Sequence, residues 1–277
     1  MKPILLCTDF SDGSNNAMHF AAELAALLHA PLIIFHADYN PYAKEDDDSP
    51  GSAQKKIETT AWCVLAADEM KKKYGITTQS ESRKGIPVDT IFAAAKEFDA
   101  ALIVTGAKGT SAGSGLVGGL VYDLIHASLF PVLAVPMESK FHPPKKIMLA
   151  IETGKKQTFN DSFLKTLIAA FNAQLILTTI LAPGTTEEMK TAAALVAVEY
   201  QYAEIMHKIQ LVENENLVDG LNSCLESNNA DLLTVIPHTH HFLERMMNQT
   251  LTQKVLKNLG VPLLALPHHL SALKNIQ

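Results

Sequence analysis

The chain is short of the residues that would place it in several common classes. Cysteine is scarce: Cys7, Cys63 and Cys224 are three in 277 residues, odd in number and far apart. That excludes a disulfide framework and a Cys-x-x-Cys site. The first lies in a strand-like apolar run and the other two in helix-like runs, where a buried, inert thiol is expected. Aromatic residues make up only 6% of the chain. No apolar run approaches the ~18 residues of a membrane span, and the run before Asp9 is too short for the core of a secretory signal. Positive charge is not in excess either, with 23 Lys/Arg against 29 Asp/Glu. Residues 1–143 hold 12 and 17 of these and residues 144–277 hold 11 and 12, so neither half is basic. A nucleic-acid protein would normally show a basic face. The expectation is a soluble, cytoplasmic chain that binds neither nucleic acid nor membrane.

What the sequence has in quantity is Ala, Leu, Ile and Val, arranged as a repeat. Ile4-Leu-Leu-Cys-Thr-Asp9 matches Ile147-Met-Leu-Ala-Ile-Glu152, each an apolar run ending in an acid. Ala100-Ala-Leu-Ile-Val-Thr105 matches Asp231-Leu-Leu-Thr-Val-Ile236 at an offset of 131, and Phe130-Pro-Val-Leu-Ala-Val-Pro136 matches Val261-Pro-Leu-Leu-Ala-Leu-Pro267. Three matched segments in the same order indicate a tandem duplication. The two domains are expected at 1–140 and 145–270, joined near Phe141-His-Pro-Pro144.

In each half, short apolar runs alternate with longer amphipathic segments, the pattern of βαβ units on a parallel sheet. The first half predicts strands at Pro3–Thr8, Leu32–Ala37, Thr77–Ser82, Ala101–Thr105 and Val132–Val135. Its helices are expected near Ser14–His29, Ala53–Tyr74, Val88–Phe98 and Leu116–Ser128, with Ser14 as an N-cap. The second half predicts strands near Ile147–Ile151, Leu175–Ile180, Ile209–Val212, Leu232–Ile236 and Leu263–Leu266. Helices follow near Phe159–Asn172, Glu187–His207, Leu217–Ser227 and Met247–Leu259. Five strands per half suit an α/β fold of two doubly wound sheets, in which ligands sit beyond the strands' carboxyl ends. The acidic stretch Lys44–Gly51 reads as a solvated loop.

Six of the 14 glycines fall between Gly106 and Gly119, where the fourth strand gives way to a helix. Glycine admits positive φ and lets a phosphate approach the backbone without a Cβ in the way. A helix N-terminus supplies free N–H groups for an anion. The segment is neither a Walker A loop nor a Gly-x-Gly-x-x-Gly turn after the first strand.

The chain resembles a tandem universal stress protein over both halves. ATP-binding members of that family carry Gly-x2-Gly-x9-Gly-Ser/Thr between the fourth strand and fourth helix, and Gly106, Gly109 and Gly119 fit that spacing. The first strand ending in Asp9 and the closing Phe130–Val135 run also resemble the family pattern. The resemblance implies an adenine nucleotide alpha hydrolase-like, Rossmann-like fold in each half. It implies ATP as ligand, with or without Mg2+, with Asp9 at the ribose or adenine and Ala37 near the adenine edge. Gly106, Gly109 and Gly119 would hold the phosphates, with the main chain at Leu120 and Val121 beside them; Lys108, inside the loop, reads either as a point charge on a phosphate or as a solvated lysine. It further implies that the two halves pair through their last strands as an internal pseudo-dimer, with a homodimer of whole chains as a further option.

One position departs from the pattern. Leu120 stands where the family has Ser/Thr, which removes a hydroxyl donor to phosphate. A hydrogen bond to a charged group contributes about 1.5–3 kcal/mol, roughly a ten- to hundredfold effect on affinity. In the second half the apparatus is missing: at the same offset Gly106, Gly109 and Gly119 become Pro237, His240 and Thr250. That half is expected to be a degenerate domain that does not bind ATP in the family manner.

His238, His240 and His241 share the segment that replaces the glycine loop, with Glu244 nearby, and are the candidate metal ligands. Exposed loop histidines are the alternative reading, and the favoured expectation is no metal. His36 reads as a packed strand residue, and Trp62 and Cys63 as core contacts. The sequence holds no HExxH, nucleophile elbow or paired catalytic carboxylates. A nucleotide-binding stress-response regulator is therefore expected, not a metabolic enzyme. The alternatives are an interaction scaffold that has abandoned the nucleotide, and a weak ATPase or autophosphorylating protein using Thr110, Ser111 or Ser114.

Overall fold

In a computed structural model the described residues are 1–39, 50–107, 119–127, 129–151, 159–181, 183–184, 202–237 and 260–267. Side chains at 50–53 and at 55 are likewise left aside. The chain divides into two compact units, Met1–Leu124 with Val132–Phe141, and Ile125–Pro131 with His142–Gln277.

The first unit is built from β1 (Ile4–Cys7), α1 (Asp12–Leu28), β2 (Leu32–Asp38), α2 (Pro50–Tyr74), β3 (Thr78–Lys84), α3 (Pro87–Glu97), β4 (Leu102–Gly106), α4 (Gly119–Ala127, as far as Leu124) and β5 (Val132–Val135). The strands are all parallel in the order β3-β2-β1-β4-β5. Central β1 is buried on both faces, which is why Ile4, Leu5, Leu6 and Cys7 are apolar without alternation. α1 buries Ala17, Ala21, Leu24, Ala25 and Leu28, one stripe at helical spacing. The helix stops at His29, whose left-handed φ of 51° lets its N–H return to Ala25 and Ala26.

The second unit repeats this plan with β6 (Lys146–Ala150), α5 (Ser162–Phe171), β7 (Gln174–Leu181), β8 (His207–Glu213), α6 (Leu217–Asn228), β9 (Leu232–Val235) and β10 (Leu263–Ala265). Its parallel order is β8-β7-β6-β9-β10, strand for strand the order of the first. Asn216 caps α6 by accepting from the N–H groups of Val218 and Asp219.

Four expectations need correcting. The N-cap of α1 is Ser11, whose Oγ accepts from the Ser14 N–H; Ser14 is buried in the first turn and its own Oγ donates to the Ser11 carbonyl. α5 begins at Ser162 because the Asn160 side chain accepts the Ser162 N–H and the Asn160 N–H bonds Pro267, a turn that holds Phe159 outside the helix. His207 opens β8 and does not end a helix, since Leu175 of β7 pairs with it in register. Trp62 is half exposed on α2, because the buried face of that helix runs through its neighbour Cys63. The helix expected near Met247–Leu259, most of that near Glu187–His207, and the acidic 40–49 stretch lie outside the described residues.

All three thiols are buried, and burial disfavours the thiolate. The Cys7 and Cys224 thiols are raised above their ordinary range and Cys63 is pushed up to about 11. Native protein at pH 8 should therefore leave all three unreacted with an aromatic disulfide reagent over minutes, and urea should release all three. Rapid modification of one thiol without denaturant would show that its unit opens locally.

Half-buried His19 bridges α1 and α2 through Nδ1, 3.1 Å from the Tyr74 hydroxyl. Burial, aided by Lys73 and opposed by Glu69 and Glu23, lowers its pKa below the ordinary value of about 6.5. The folded state thus takes up this proton less readily than the unfolded chain. Its contribution to stability is present above about pH 6.5 and is lost as pH falls through the depressed native value. The urea midpoint of His19→Gln should fall less between pH 7 and pH 5 than that of the parent; identical slopes would remove His19 from the acid response.

Candidate functional site

In the first sheet the chain leaves β1 toward β2 on one side, while β4 leads to β5 on the other. β1 and β4 lie side by side, with Cys7 in register with Thr105. The strand order reverses between them, and the crevice beyond their carboxyl ends is where open α/β sheets hold ligands.

One wall is the turn from β1 to α1. The Asp9 Oδ1 accepts the Ser11 hydroxyl at 2.6 Å and the Ser11 N–H at 3.1 Å, while the Thr8 Oγ1 accepts the Phe10 N–H at 3.0 Å. These bonds hold Phe10 at φ 59°, a left-handed conformation that aromatic residues rarely adopt. The Phe10 ring then meets His36 at 5.4 Å and Trp62 edge-on at 5.6 Å. His36 Nδ1 lies 2.8 Å from the Thr8 carbonyl, so that nitrogen carries the proton and donates. Half-buried Ala37 follows on β2.

The other wall is the end of β4. Gly106 is buried, and a Cβ there would lie 2.8 Å from the Gly13 carbonyl oxygen, 2.9 Å from its carbon and 3.1 Å from the Ser14 nitrogen. Only glycine lets the first turn of α1 settle against the strand this closely. The Ala107 N–H makes one more bond, to the Val135 carbonyl.

Gly119 is the first described residue of α4. Among the described residues nothing lies within 4 Å of the place a Cβ at Gly119 would take. Leu120 is half-buried beside it, and the Val121 side chain is buried, leaving only its main chain for a ligand. The opening N–H groups of a helix have no partner within it and carry the positive end of its dipole.

The structure thus places Asp9, Ala37 and Gly106 at the carboxyl edge of the first sheet and Gly119, Leu120 and Val121 at the start of α4. Lys108 and Gly109 lie outside the described residues, as do His238, His240, His241 and Glu244. Among the described residues no group of three or more His, Cys, Asp or Glu side chains is arranged to hold a metal. No described helix is long and apolar enough to cross a membrane. The roles of Thr8, Phe10, Ser11 and His36 at this edge were not read from the sequence. Its available signal was the Asp-x-Ser spacing, which favours a side-chain-closed turn.

The second unit differs at the matching place. Pro237 stands where Gly106 would fall by sequence offset; it is buried, has no N–H, and follows a strand that ends at Val235.

Comparison with known proteins accords with this geometry. The family model described as the universal stress protein family matches residues 1–136. Universal stress protein Sll1654 of Synechocystis sp. is 30% identical over 141 residues, which is 49% of this chain and 85% of that protein. The chain belongs to the universal stress protein family. Among solved structures, a universal stress protein from Archaeoglobus fulgidus superposes with a TM-score of 0.70 at 15% identity, covering 96% of each chain. A functionally unknown protein from Pseudomonas aeruginosa PAO1 gives 0.56 at 15% identity, covering 97% of this chain and 93% of its own. These two likenesses concern the fold, and they extend its Rossmann-like α/β plan over both halves.

Proposed function

We propose that this universal stress protein is a stress-response regulator that binds ATP in its first unit, at the crevice between β1 and β4. The observation that carries this reading is the pair of glycines with opposite surroundings. Gly106 seats α1 against β4 without a side chain between them, and no described residue crowds the place a side chain would take at Gly119, at the start of α4. Asp9, held by Ser11, would meet the ribose or base, with Ala37 at the base edge. The N–H groups of Gly119, Leu120 and Val121 would meet phosphate oxygens, joined by Lys108 and Gly109. Magnesium would be carried in with the triphosphate, since no described cluster holds it. The protein acts as a binder whose loaded state is read by partners; it is not a catalyst. A cytoplasmic location follows from that role.

The second unit is proposed as a domain at 145–270 without a family-type nucleotide site, on the strength of Pro237. The scaffold reading rests on Leu120, which offers no hydroxyl to phosphate. Leu120→Ser separates the two. On the ATP-binding reading both proteins show a nucleotide-dependent rise in melting temperature, with about tenfold tighter binding in the variant. A shift in the variant alone makes the natural chain a scaffold.

A further inference from the structure

The polar bonds that close the β1–α1 turn are local. Besides the Asp9–Ser11 and Thr8–Phe10 bonds, the Thr8 hydroxyl donates to the buried Ser14 Oγ at 3.1 Å, and that Oγ donates to the Ser11 carbonyl at 3.0 Å. These bonds all lie within residues 8–14, so they set the shape of the turn without fixing its place. The Phe10 ring reaches further. Its centroid is 5.4 Å from His36 of β2, tilted by 35°, and 5.6 Å from Trp62 of α2, edge-on at 74°. One side chain thus ties the turn to two other elements.

Each partner is itself held. His36 donates from Nδ1 to the Thr8 carbonyl at 2.8 Å, a contact 28 residues apart in sequence that fixes the imidazole against Phe10. Trp62 stands at the margin of α2. On one side is Cys63, 1% exposed on the buried face; on the other is the outer stripe of Ile57, Val64 and Leu65, at 64%, 47% and 65%. A left-handed phenylalanine is costly, persists only where its surroundings impose it, and is a kind of strain that gathers at ligand sites. Here the strained residue directly follows Asp9, the carboxylate placed at the ribose or base in the ATP reading.

We propose that Phe10, clamped between His36 and Trp62, is the positioning residue for Asp9, with His36 and Trp62 acting through it. The local bonds shape the turn, and the ring sets where the carboxylate stands at the crevice. The clamp rests on the ATP reading for its ligand, not for its geometry.

Two measurements on the full chain test it. One is ATP affinity by equilibrium titration, with a melt of each sample. The other, made without nucleotide, is the exchange rate by NMR of the Ser11 amide, whose N–H the Asp9 Oδ1 accepts. Phe10→Ala loses both ring contacts and should weaken ATP binding and speed Ser11 exchange by about tenfold; Trp62→Ala loses one and should do so by about threefold. Trp62→Phe keeps an aromatic edge and should restore both, and Leu65→Ala on the outer stripe should change neither. Phe10→Gly separates placement from stability. Glycine adopts the left-handed φ freely, so this variant should melt at or above Phe10→Ala yet bind ATP no more tightly. Affinities that simply follow the melting temperatures would leave these residues a structural role and overturn the clamp, as would unchanged Ser11 exchange in Phe10→Ala. A parent that binds no ATP removes the nucleotide reading by itself. Faster exchange in Phe10→Ala and Trp62→Ala would then still uphold the clamp on Asp9, and unchanged exchange would remove it too.

Discussion

Gly106→Val should cost the first unit about 3 kcal/mol, the upper part of the range for forcing atoms into a packed interior. The cause is specific. The first new carbon alone would sit 2.8 Å from the Gly13 carbonyl oxygen and 3.1 Å from the Ser14 nitrogen, both backbone atoms. A flexible neighbour could swing aside, but here the first turn of α1 would have to lift from β4. That turn carries Ser11 and, through it, the orientation of Asp9. With melting temperature moving about 2–4 °C per kcal/mol in a chain of this size, a fall of roughly 6–12 °C is expected, together with loss of ATP binding. Scanning calorimetry checks it. An unchanged transition would mean that α1 and β4 are not in the close contact described.

Gly119→Val should do the reverse. No described residue lies within 4 Å of the position a Cβ would take, and φ there is not in the left-handed region. Replacing an exposed glycine in a helix removes a propensity penalty of up to about 1 kcal/mol, so stability should hold or rise slightly. Affinity for ATP, in contrast, should fall at least tenfold, because the added side chain fills the space through which a phosphate would reach the N–H groups of α4. Equilibrium binding of a fluorescent ATP analogue, with a melt of the same sample, reads both effects together. Undiminished affinity would remove Gly119 from the site. The two variants separate a glycine required by packing from one required by a ligand.

That separation could not be read from the sequence, where both glycines belong to one motif with one apparent purpose. Gly106 contacts Gly13, 93 residues earlier, and a close backbone approach across that distance leaves no local mark. The parallel sheets were legible for the opposite reason. A strand buried on both faces must be apolar throughout, so Ile4–Cys7, Leu102–Gly106 and their counterparts stand out without knowledge of their partners. The duplication, read from three matched segments, reappears as the same strand order in both units. Helix boundaries fared less well because they are set by side-chain bonds among adjacent polar residues. In Ser11-Asp12-Gly13-Ser14 either serine is chemically able to cap, and the choice falls to Ser11 because Asp9 grips it at 2.6 Å. The left-handed Phe10 was likewise hidden, since no preference of phenylalanine suggests it; the bonds around it impose it. Trp62 was misread because composition places tryptophan inside, whereas the position on α2 places it at the edge of an exposed stripe.

The site in the first unit is the centre of the account, and calorimetric titration of nucleotide-free protein with ATP, with and without magnesium, tests it most directly. The prediction is one site per chain, lost in Gly119→Val while that variant melts at the parent temperature. Absence of both binding heat and thermal shift at millimolar ATP would contradict it and make the chain a duplicated scaffold.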